Sequence, residues 1–262
     1  MFETIKTKCF ANGSVHALKT ADGFLIETTD TFLPFYTKDA IGRQQNDLMT
    51  DELGTRKDRW MIGVSTMSSC PVRCKFCATG NMKKYRNLTA EEIVGQVEAM
   101  IALNPEFSFS EAQEHKINYT RCGEPFLNID EVKKAIYIID AKYPGTHHYV
   151  STIGIKGADY SWIKDNITLQ VSVHSLVDEK RDWLIPFKNK VTIEELGQIR
   201  TKSNLKTTVN MTLVDESDFD IDALKKYFDK DHFFIKLSPV NTNEFSDLNN
   251  IGTGAIEGVN LV

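Results

Sequence analysis

The chain has 262 residues, of which 41% are hydrophobic and 26% are charged, and its formal net charge is -5. This composition is that of an ordinary folded domain and excludes a largely disordered chain. No apolar stretch approaches the roughly 20 residues that a transmembrane helix needs, and the start lacks a signal-peptide pattern. We therefore expect a cytoplasmic protein that does not contact a membrane. The acidic net charge argues against a broad nucleic-acid-binding surface, because such surfaces need many basic contacts.

The chain opens with a β-rich stretch. The runs VHALKT and FLIETTDTF flank a turn made of Ala21, Asp22 and Gly23, which is typical of a β-hairpin. Residues 40–59 are polar and show no clear period, so they predict a loop or a short helix. Residues 1–59 are thus predicted to form an N-terminal β-hairpin extension and linker.

From Trp60 onward, short β-branched runs alternate with amphipathic helical patterns, as in βα units around a parallel sheet. The predicted strands are 61–67, 115–121, 148–153, 168–174, 206–214 and 233–238. Capping boxes that predict helix starts are Thr89 with Glu92, Asn128 with Glu131, and Thr192 with Glu195. Six units predict an α/β fold, a partial (β/α)6 barrel over residues 60–242. Residues 243–262 are rich in Asn and Gly and predict a short, extended or loosely ordered C-terminal tail.

The chain has five cysteines, and three of them fall within eight positions, in the run Cys70-Pro-Val-Arg-Cys74-Lys-Phe-Cys77. An odd number clustered in this way favours metal ligation in a reducing compartment over a disulfide framework. The run follows a predicted strand, and βα folds build their active sites on such loops. Three thiolates at this spacing can bind three irons of a cubane cluster and leave the fourth iron without a protein ligand.

Two other metal sites remain open on the residues alone. Zinc usually takes four ligands in two close pairs, and no second pair occurs in this sequence. An electron-carrying cluster would use Cys9 or Cys122 as a fourth ligand. The surrounding stretch from Gly54 to Arg86 is basic, with Asp58 as its only acid, and is either a solvated charged surface or a region that steers an anionic substrate.

The CxxxCxxC loop, with Phe76 before its last cysteine, resembles that of the radical S-adenosylmethionine (SAM) superfamily. The likeness then narrows to the RNA adenine methyltransferases that modify ribosomal and transfer RNA, and to their antibiotic-resistance relatives. The blocks that carry it are CPVRCKFCATGNMKKYRNLTAEEIVGQV, GEPFLN, VSTIGI, VSVHSLVDEKRDWLIP and KLSPVN, in that order. The resemblance implies that the partial barrel is a radical-SAM barrel.

The resemblance implies two cofactors, which are a 4Fe-4S cluster held by Cys70, Cys74 and Cys77, and SAM itself. It assigns Gly123 and Glu124 to the methionine amino group, since a carboxylate and carbonyls suit an ammonium ion. The other positions that match family contacts to SAM are Ser151, Ser172, Val173, His174 and Asn241.

Three of those SAM positions have another interpretation on the residues alone. Ser151 would cap a turn, His174 would be a satisfied core histidine, and Asn241 would bend the chain. The implied reaction begins when an electron from the reduced cluster cleaves SAM to a 5′-deoxyadenosyl radical. A flavodoxin or ferredoxin is the expected reducing partner, and a nucleotide, a nucleic-acid base or RNA is the expected substrate.

The sequence departs from the methylating families at their two methyl-transfer cysteines. Gly63 stands seven residues before Cys70, where those families have one cysteine, and no cysteine follows Cys122. The family's covalent methylation route is therefore not expected in this chain. We expect instead a radical SAM reaction that differs from this methylation. Two alternatives are a methylase that borrows a partner's cysteine and a non-catalytic iron-sulfur binding or electron-transfer protein.

Two further residues are candidates for catalysis. Glu27 resembles the family's proton-accepting glutamate by its local context, and the alternative is an exposed strand carboxylate. Cys122 stands immediately before Gly123, where the family usually has methionine. It is a hydrogen donor, a redox partner or a small buried residue.

Overall fold

The computed structural model describes residues 2–33, 53–82, 84–214 and 218–252. Of the predicted linker, residues 40–52 lie outside this range, as do residues 253–262 of the predicted tail. The chain divides into two compact units, which are described separately. The first contains Met1–Thr66, Leu88–Arg121 and Asp130–His148, and the second contains Met67–Asn87, Cys122–Ile129 and Tyr149–Val262.

The described residues contain strands at all six predicted core positions. The strands are β1 (Glu3–Phe10), β2 (Gly13–Lys19), β3 (Leu25–Leu33), β4 (Arg59–Val64), β5 (Glu114–Tyr119), β6 (His147–Thr152), β7 (Ile167–Ser172), β8 (Thr207–Thr212) and β9 (Phe233–Ser238). The helices are α1 (Ala90–Ala102), α2 (Ile129–Lys142), α3 (Asp178–Leu184), α4 (Ile193–Gly197), α5 (Ile221–Tyr227) and α6 (Glu244–Leu248). Strands β4 to β9 match the predicted strands to within a few residues, so the alternating pattern located these six strands correctly.

The first unit contains an antiparallel meander that leads into a parallel pair. Strands β1 to β4 pair antiparallel in chain order, and β4 pairs in parallel with β5. The predicted hairpin of β2 and β3 is confirmed, and its turn uses Gly23 at a φ of 90°, a conformation that favours glycine. Strand β1 adds a third strand that the sequence analysis did not predict.

A buried carboxylate joins β3 to its neighbours in the first unit. Asp30 accepts hydrogen bonds from the Arg56 guanidinium, from Trp60 Nε1 at 2.6 Å and from Asn104 Nδ2 at 3.0 Å. Arg59 is also buried, in an ion pair with Glu114. Two residues of the basic stretch are therefore structural ion-pair partners, and neither alternative given for that stretch applies to them.

The first helix is held to the strands by buried polar contacts. The predicted capping box of Thr89 and Glu92 is present at the start of α1. Gln96, on the same helix, accepts from Thr28 Oγ1 and from Ser65 N, each at 2.8 Å. These bonds satisfy buried polar groups at the end of β4, directly before the cysteine segment begins.

The second unit contains the parallel strands β7, β8 and β9, which pair in chain order. The predicted capping box of Thr192 and Glu195 is present at α4. The capping box of Asn128 and Glu131 stays a prediction. Glu131 belongs to the first unit, where its carboxylate accepts a hydrogen bond from Ala90 N.

The prediction of an extended or loosely ordered tail is wrong for residues 243–252. Asn243 caps the short helix α6, and Ile251 is buried. The Asn-rich composition reflects capping side chains here, since Asn is a preferred residue at helix starts. Among the residues that the structure describes, no helix is long and apolar enough to cross a membrane.

Candidate functional site

The three clustered cysteines lie in the second unit, and all three are free and partly exposed. Burial raises the pKa of the Cys70 thiol to about 12 and also raises the pKa of the Cys74 thiol. The neighbouring cysteines and Glu124 raise both values further, because a nearby negative charge disfavours the thiolate. The thiols are thus close enough to interact, and metal binding here would release protons.

The donors in the cysteine loop are of the kind that iron-sulfur clusters use. Within the described ranges, no three His, Cys, Asp or Glu side chains converge closely enough to hold one metal ion. In a cubane cluster each thiolate binds a different iron, so its ligands need not converge on one point. The donor set of three thiolates fits the predicted 4Fe-4S cluster.

The loop that carries the cysteines is tightly turned. Arg73 has a φ of 58°, and Cys77 N donates to Cys74 O at 3.1 Å. Gly80 allows the following 3-10 turn to pass close to the loop, since a Cβ there would lie 3.0 Å from Cys74 O. A hydrogen bond joins the residues on the two sides of this segment, since Arg86 N donates to Ser68 Oγ at 2.9 Å.

Side chains and backbone from distant parts of the second unit hold the same loop. Lys75 N donates to Leu184 O at 2.9 Å. The carbonyls of Lys75 and Phe76 accept hydrogen bonds from the side-chain amides of Asn249 and Asn243. The sequence analysis did not single out these two asparagines, and their only sequence signal is the Asn-rich tail.

The GEP turn places a buried carboxylate near the cysteines. Gly123 has a φ of 115°, which requires glycine, and Glu124 is only 3% exposed. The Glu124 carboxylate accepts from Phe126 N at 3.2 Å and from Ile153 N at 2.9 Å. Burial raises the pKa of Glu124 to about 7. The structure therefore brings together Glu124 and the cysteine loop, two parts of the predicted site.

The predicted residues at the ends of β6 and β7 make hydrogen bonds within the second unit. Ser151 Oγ donates to Gln170 Oε1 at 3.0 Å. Ser172 lies at the end of β7, and the buried Val173 donates its N–H to Asn210 O at 3.0 Å. Asn241 is exposed, and its carbonyl accepts from Asn243 Nδ2 at 2.9 Å.

His174 is buried, strained and neutral. Its φ is 61°, and its Nδ1 accepts a hydrogen bond from Thr212 N at 3.0 Å. The ring packs edge-on against Phe76 of the cysteine loop, with the ring centres 4.8 Å apart. Burial, together with the positive charge of Arg181, lowers the pKa of His174 to about 3. Its ring therefore keeps a proton on Nε2 alone, which is the one nitrogen left to donate to a ligand.

Arg181 is a structural residue of the site that the sequence analysis missed. Its side chain is fully buried, and it donates to Val191 O at 2.7 Å, to Ile153 O at 2.6 Å and to Ser172 O at 3.5 Å. It thus joins the residue directly after β6 to the last residue of β7, Ser172, which is itself a predicted SAM contact. Nothing in its local sequence distinguishes it from an exposed helix arginine.

Cys122 is 7% exposed, and its Sγ lies 3.8 Å from Thr79 Oγ1 in the turn after the cysteine loop. This burial favours the interpretation as a small buried residue. Cys9 is exposed on β1 in the first unit.

Glu27 and Gly63 lie in the first unit beside one arginine. The Glu27 carboxylate is 46% exposed and pairs with Arg121 at 3.4 Å. A Cβ on Gly63 would lie 2.4 Å from Thr29 Oγ1 and 3.2 Å from Arg121 Nε. The Arg121 side chain therefore passes over Gly63, where the methylating families have a cysteine.

Gly63→Ala is expected to lower the free energy of unfolding by about 1 kcal/mol, because Thr29 and Arg121 must shift to admit the methyl group. Urea denaturation would measure the change. The double variant with Thr29→Ala should recover most of the loss, since the nearest contact is then removed. An unchanged stability in the single variant would contradict the described packing.

Alternating parallel strands and helices, together with a loop that contains three free cysteines, define an α/β protein with a thiolate site. A model of the radical SAM superfamily matches residues 64–228. The chain therefore belongs to the radical SAM superfamily, whose members use a 4Fe-4S cluster and SAM.

Two relatives carry the name probable dual-specificity RNA methyltransferase RlmN. The protein from Pseudothermotoga lettingae is 35% identical over 192 residues, which cover 68% of this chain and 54% of the relative. The protein from Dictyoglomus turgidum is 36% identical over 148 residues, which cover 54% of this chain and 42% of the relative. This chain thus spans about half the length of the curated relatives it matches.

The fold is also that of a solved structure. A radical SAM methyltransferase from Sphaerobacter thermophilus superimposes with a TM-score of 0.70 at 21% identity, covering 98% of this chain and 71% of that chain. This similarity confirms the predicted α/β fold of the radical-SAM type.

Proposed function

We propose that this protein is a radical SAM enzyme that cleaves SAM reductively and acts on a nucleotide or nucleic-acid base. The observation that carries the proposal is a loop with three free cysteines in the same compact unit as a buried carboxylate, Glu124, which two backbone N–H groups hold. When bound, the cluster and SAM supply a 5′-deoxyadenosyl radical, after one electron breaks the bond between the sulfur and the ribose carbon.

In this proposal Cys70, Cys74 and Cys77 hold three irons, and Glu124 receives the methionine ammonium. Two backbone N–H groups already fix the Glu124 carboxylate, so its orientation is set before the ligand binds. The further proposed contacts to SAM are Gly123, Ser151, Ser172, Val173, His174 and Asn241.

The names of the relatives support an RNA base as the substrate. Gly63 and the adjacent Arg121 support a reaction other than cysteine-based methyl transfer, because no thiol stands at this position. Glu27 is the proposed proton acceptor. Cys122 is the second proposed catalytic residue, as a hydrogen donor or redox partner, although its burial favours the alternative of a small buried residue. We further propose residues 60–242 as the functional core, a flavodoxin or ferredoxin as electron donor, and a reducing cytoplasm as the location.

Anaerobic reconstitution tests this proposal. Protein reconstituted with iron and sulfide should form 5′-deoxyadenosine when dithionite and SAM are added, and protein loaded with zinc should not. Methylated RNA formed only with a partner protein would support the methylase alternative. An intact cluster that yields no 5′-deoxyadenosine would contradict the proposal and favour the electron-transfer alternative.

Glu124→Gln should raise the KM for SAM roughly ten- to a hundredfold, because a neutral amide loses the charge-assisted hydrogen bond to the ammonium. The measurement is 5′-deoxyadenosine formation against SAM concentration. A KM equal to that of the wild type would rule out the proposed contact.

The apoprotein provides a control for the same variant. Burial raises the pKa of Glu124 to about 7 in the folded state. Between the ordinary pKa of a glutamate and about pH 7, the folded state therefore binds more protons than the unfolded state. Its contribution to stability is therefore present at low pH and is lost as pH rises through about 7, by about 3 kcal/mol in total. Glu124→Gln should remove this pH dependence in urea denaturation.

A further inference from the structure

The C-terminal segment, residues 243–249, donates two hydrogen bonds to the cysteine loop. Asn243 Nδ2 donates to Phe76 O at 2.9 Å, and Asn249 Nδ2 donates to Lys75 O at 3.1 Å. These two carbonyls belong to the only residues between Cys74 and Cys77. Both carbonyls of the short link are thus bound by side chains far away in the sequence.

Both amides are held in place before they reach the loop. Asn243 Oδ1 accepts from Phe245 N at 3.0 Å and from Ser246 N at 3.2 Å, which caps α6. Asn249 Nδ2 also donates to Phe245 O at 2.7 Å. The segment is anchored by Ser246, which is fully buried. The donors are therefore preorganised, and holding the loop costs little additional conformational entropy.

We propose that Asn243 and Asn249 are positioning residues for the iron-sulfur cluster, and this inference rests on the proposed function. They fix the peptide groups of Lys75 and Phe76, so that Cys74 and Cys77 keep the separation at which they bind two different irons. Groups that orient metal ligands in this way typically control metal affinity. Without them, the two carbonyls would turn to solvent and the link would sample other conformations.

Three variants test this role without removing a cluster ligand. Asn243→Asp keeps the oxygen acceptors that cap α6 but cannot donate to Phe76 O, and it also loses the hydrogen bond to Asn241 O. Asn249→Leu has a similar volume, adds no charge and cannot donate to Lys75 O. Glu244→Gln changes an exposed residue of the same helix and is the matched control.

The readouts are the rate of cluster loss to a chelator, the EPR spectrum of the reduced cluster and its midpoint potential. Each asparagine variant should lose the cluster about fivefold faster, and the double variant more than tenfold faster, with a changed EPR spectrum. Glu244→Gln should behave as the wild type. The melting temperature of each apoprotein should stay within a few degrees of the wild-type value.

The outcomes separate this inference from the proposed function. Wild-type protein that holds a cluster, with asparagine variants that match it in retention, EPR spectrum and potential, would overturn only the positioning role. Faster cluster loss that merely follows a large fall in apoprotein melting temperature would also overturn it, in favour of a purely structural role. Wild-type protein that takes up no 4Fe-4S cluster would overturn both.

Discussion

Cys74→Ala is expected to abolish 5′-deoxyadenosine formation and to prevent stable binding of a 4Fe-4S cluster. Cys74 lies between the other two ligands in the loop, and each thiolate holds a separate iron, so no remaining ligand can replace it. Activity should fall below the limit of detection. The measurements are iron and sulfide content after anaerobic reconstitution, EPR of the reduced protein, and product analysis.

Two other cysteine variants serve as controls. Cys9→Ala changes an exposed thiol on β1 and should retain the cluster and the product yield. Cys122→Ala removes a buried thiol that lies 3.8 Å from Thr79 Oγ1, and it should retain the cluster. Loss of the cluster in either control would show that this cysteine is a fourth ligand, and would support the electron-transfer alternative.

Arg181→Met is expected to lower the free energy of unfolding by about 3 kcal/mol or more, which is a large part of the stability of an ordinary domain. The guanidinium donates to the carbonyls of Ile153, Ser172 and Val191, and methionine has no donor to replace it. Burial lowers the pKa of Arg181 to about 10, so the side chain is still charged at neutral pH and its hydrogen bonds are the strong, charge-assisted kind.

Urea denaturation of the apoprotein measures this loss, with Arg200→Met as the matched control. Arg200 also donates to two backbone carbonyls, those of Gly197 and Ile199, but it is exposed. Its replacement should change stability by no more than about 0.5 kcal/mol, because an exposed guanidinium exchanges its hydrogen bonds with bonds to water and contributes little net free energy. Equal losses of stability in the two variants would contradict the proposed contribution of the buried Arg181 hydrogen bonds.

The parts of the site that could be predicted are those whose chemistry is local. The cysteine spacing places three thiols within one loop, and the glycine before Glu124 is required by its positive φ. The capping boxes at Thr89 and Thr192 form between residues three positions apart, so local sequence is sufficient to locate them.

The parts that could not be predicted depend on contacts between distant residues. Arg56 belongs to a basic stretch and looks like a solvated charge, yet it is bound to the buried Asp30. Gly63 looks like an ordinary strand glycine, and only the fold shows that the Arg121 side chain passes over it. In both cases the arginine lies outside the strands, and only the folding of the first unit brings it to its partner.

The sequence by itself determined the six core strands, the cysteine loop and the superfamily, because hydrophobic period and ligand spacing are properties of neighbouring residues. Only the tertiary structure decided how that loop is held. Asn243 reaches Phe76 across 167 positions of the chain, and Asn249 reaches Lys75 across 174. Any backbone carbonyl can accept a hydrogen bond from an amide, so no sequence pattern predicts these two pairs. Only the packing of the second unit selects them.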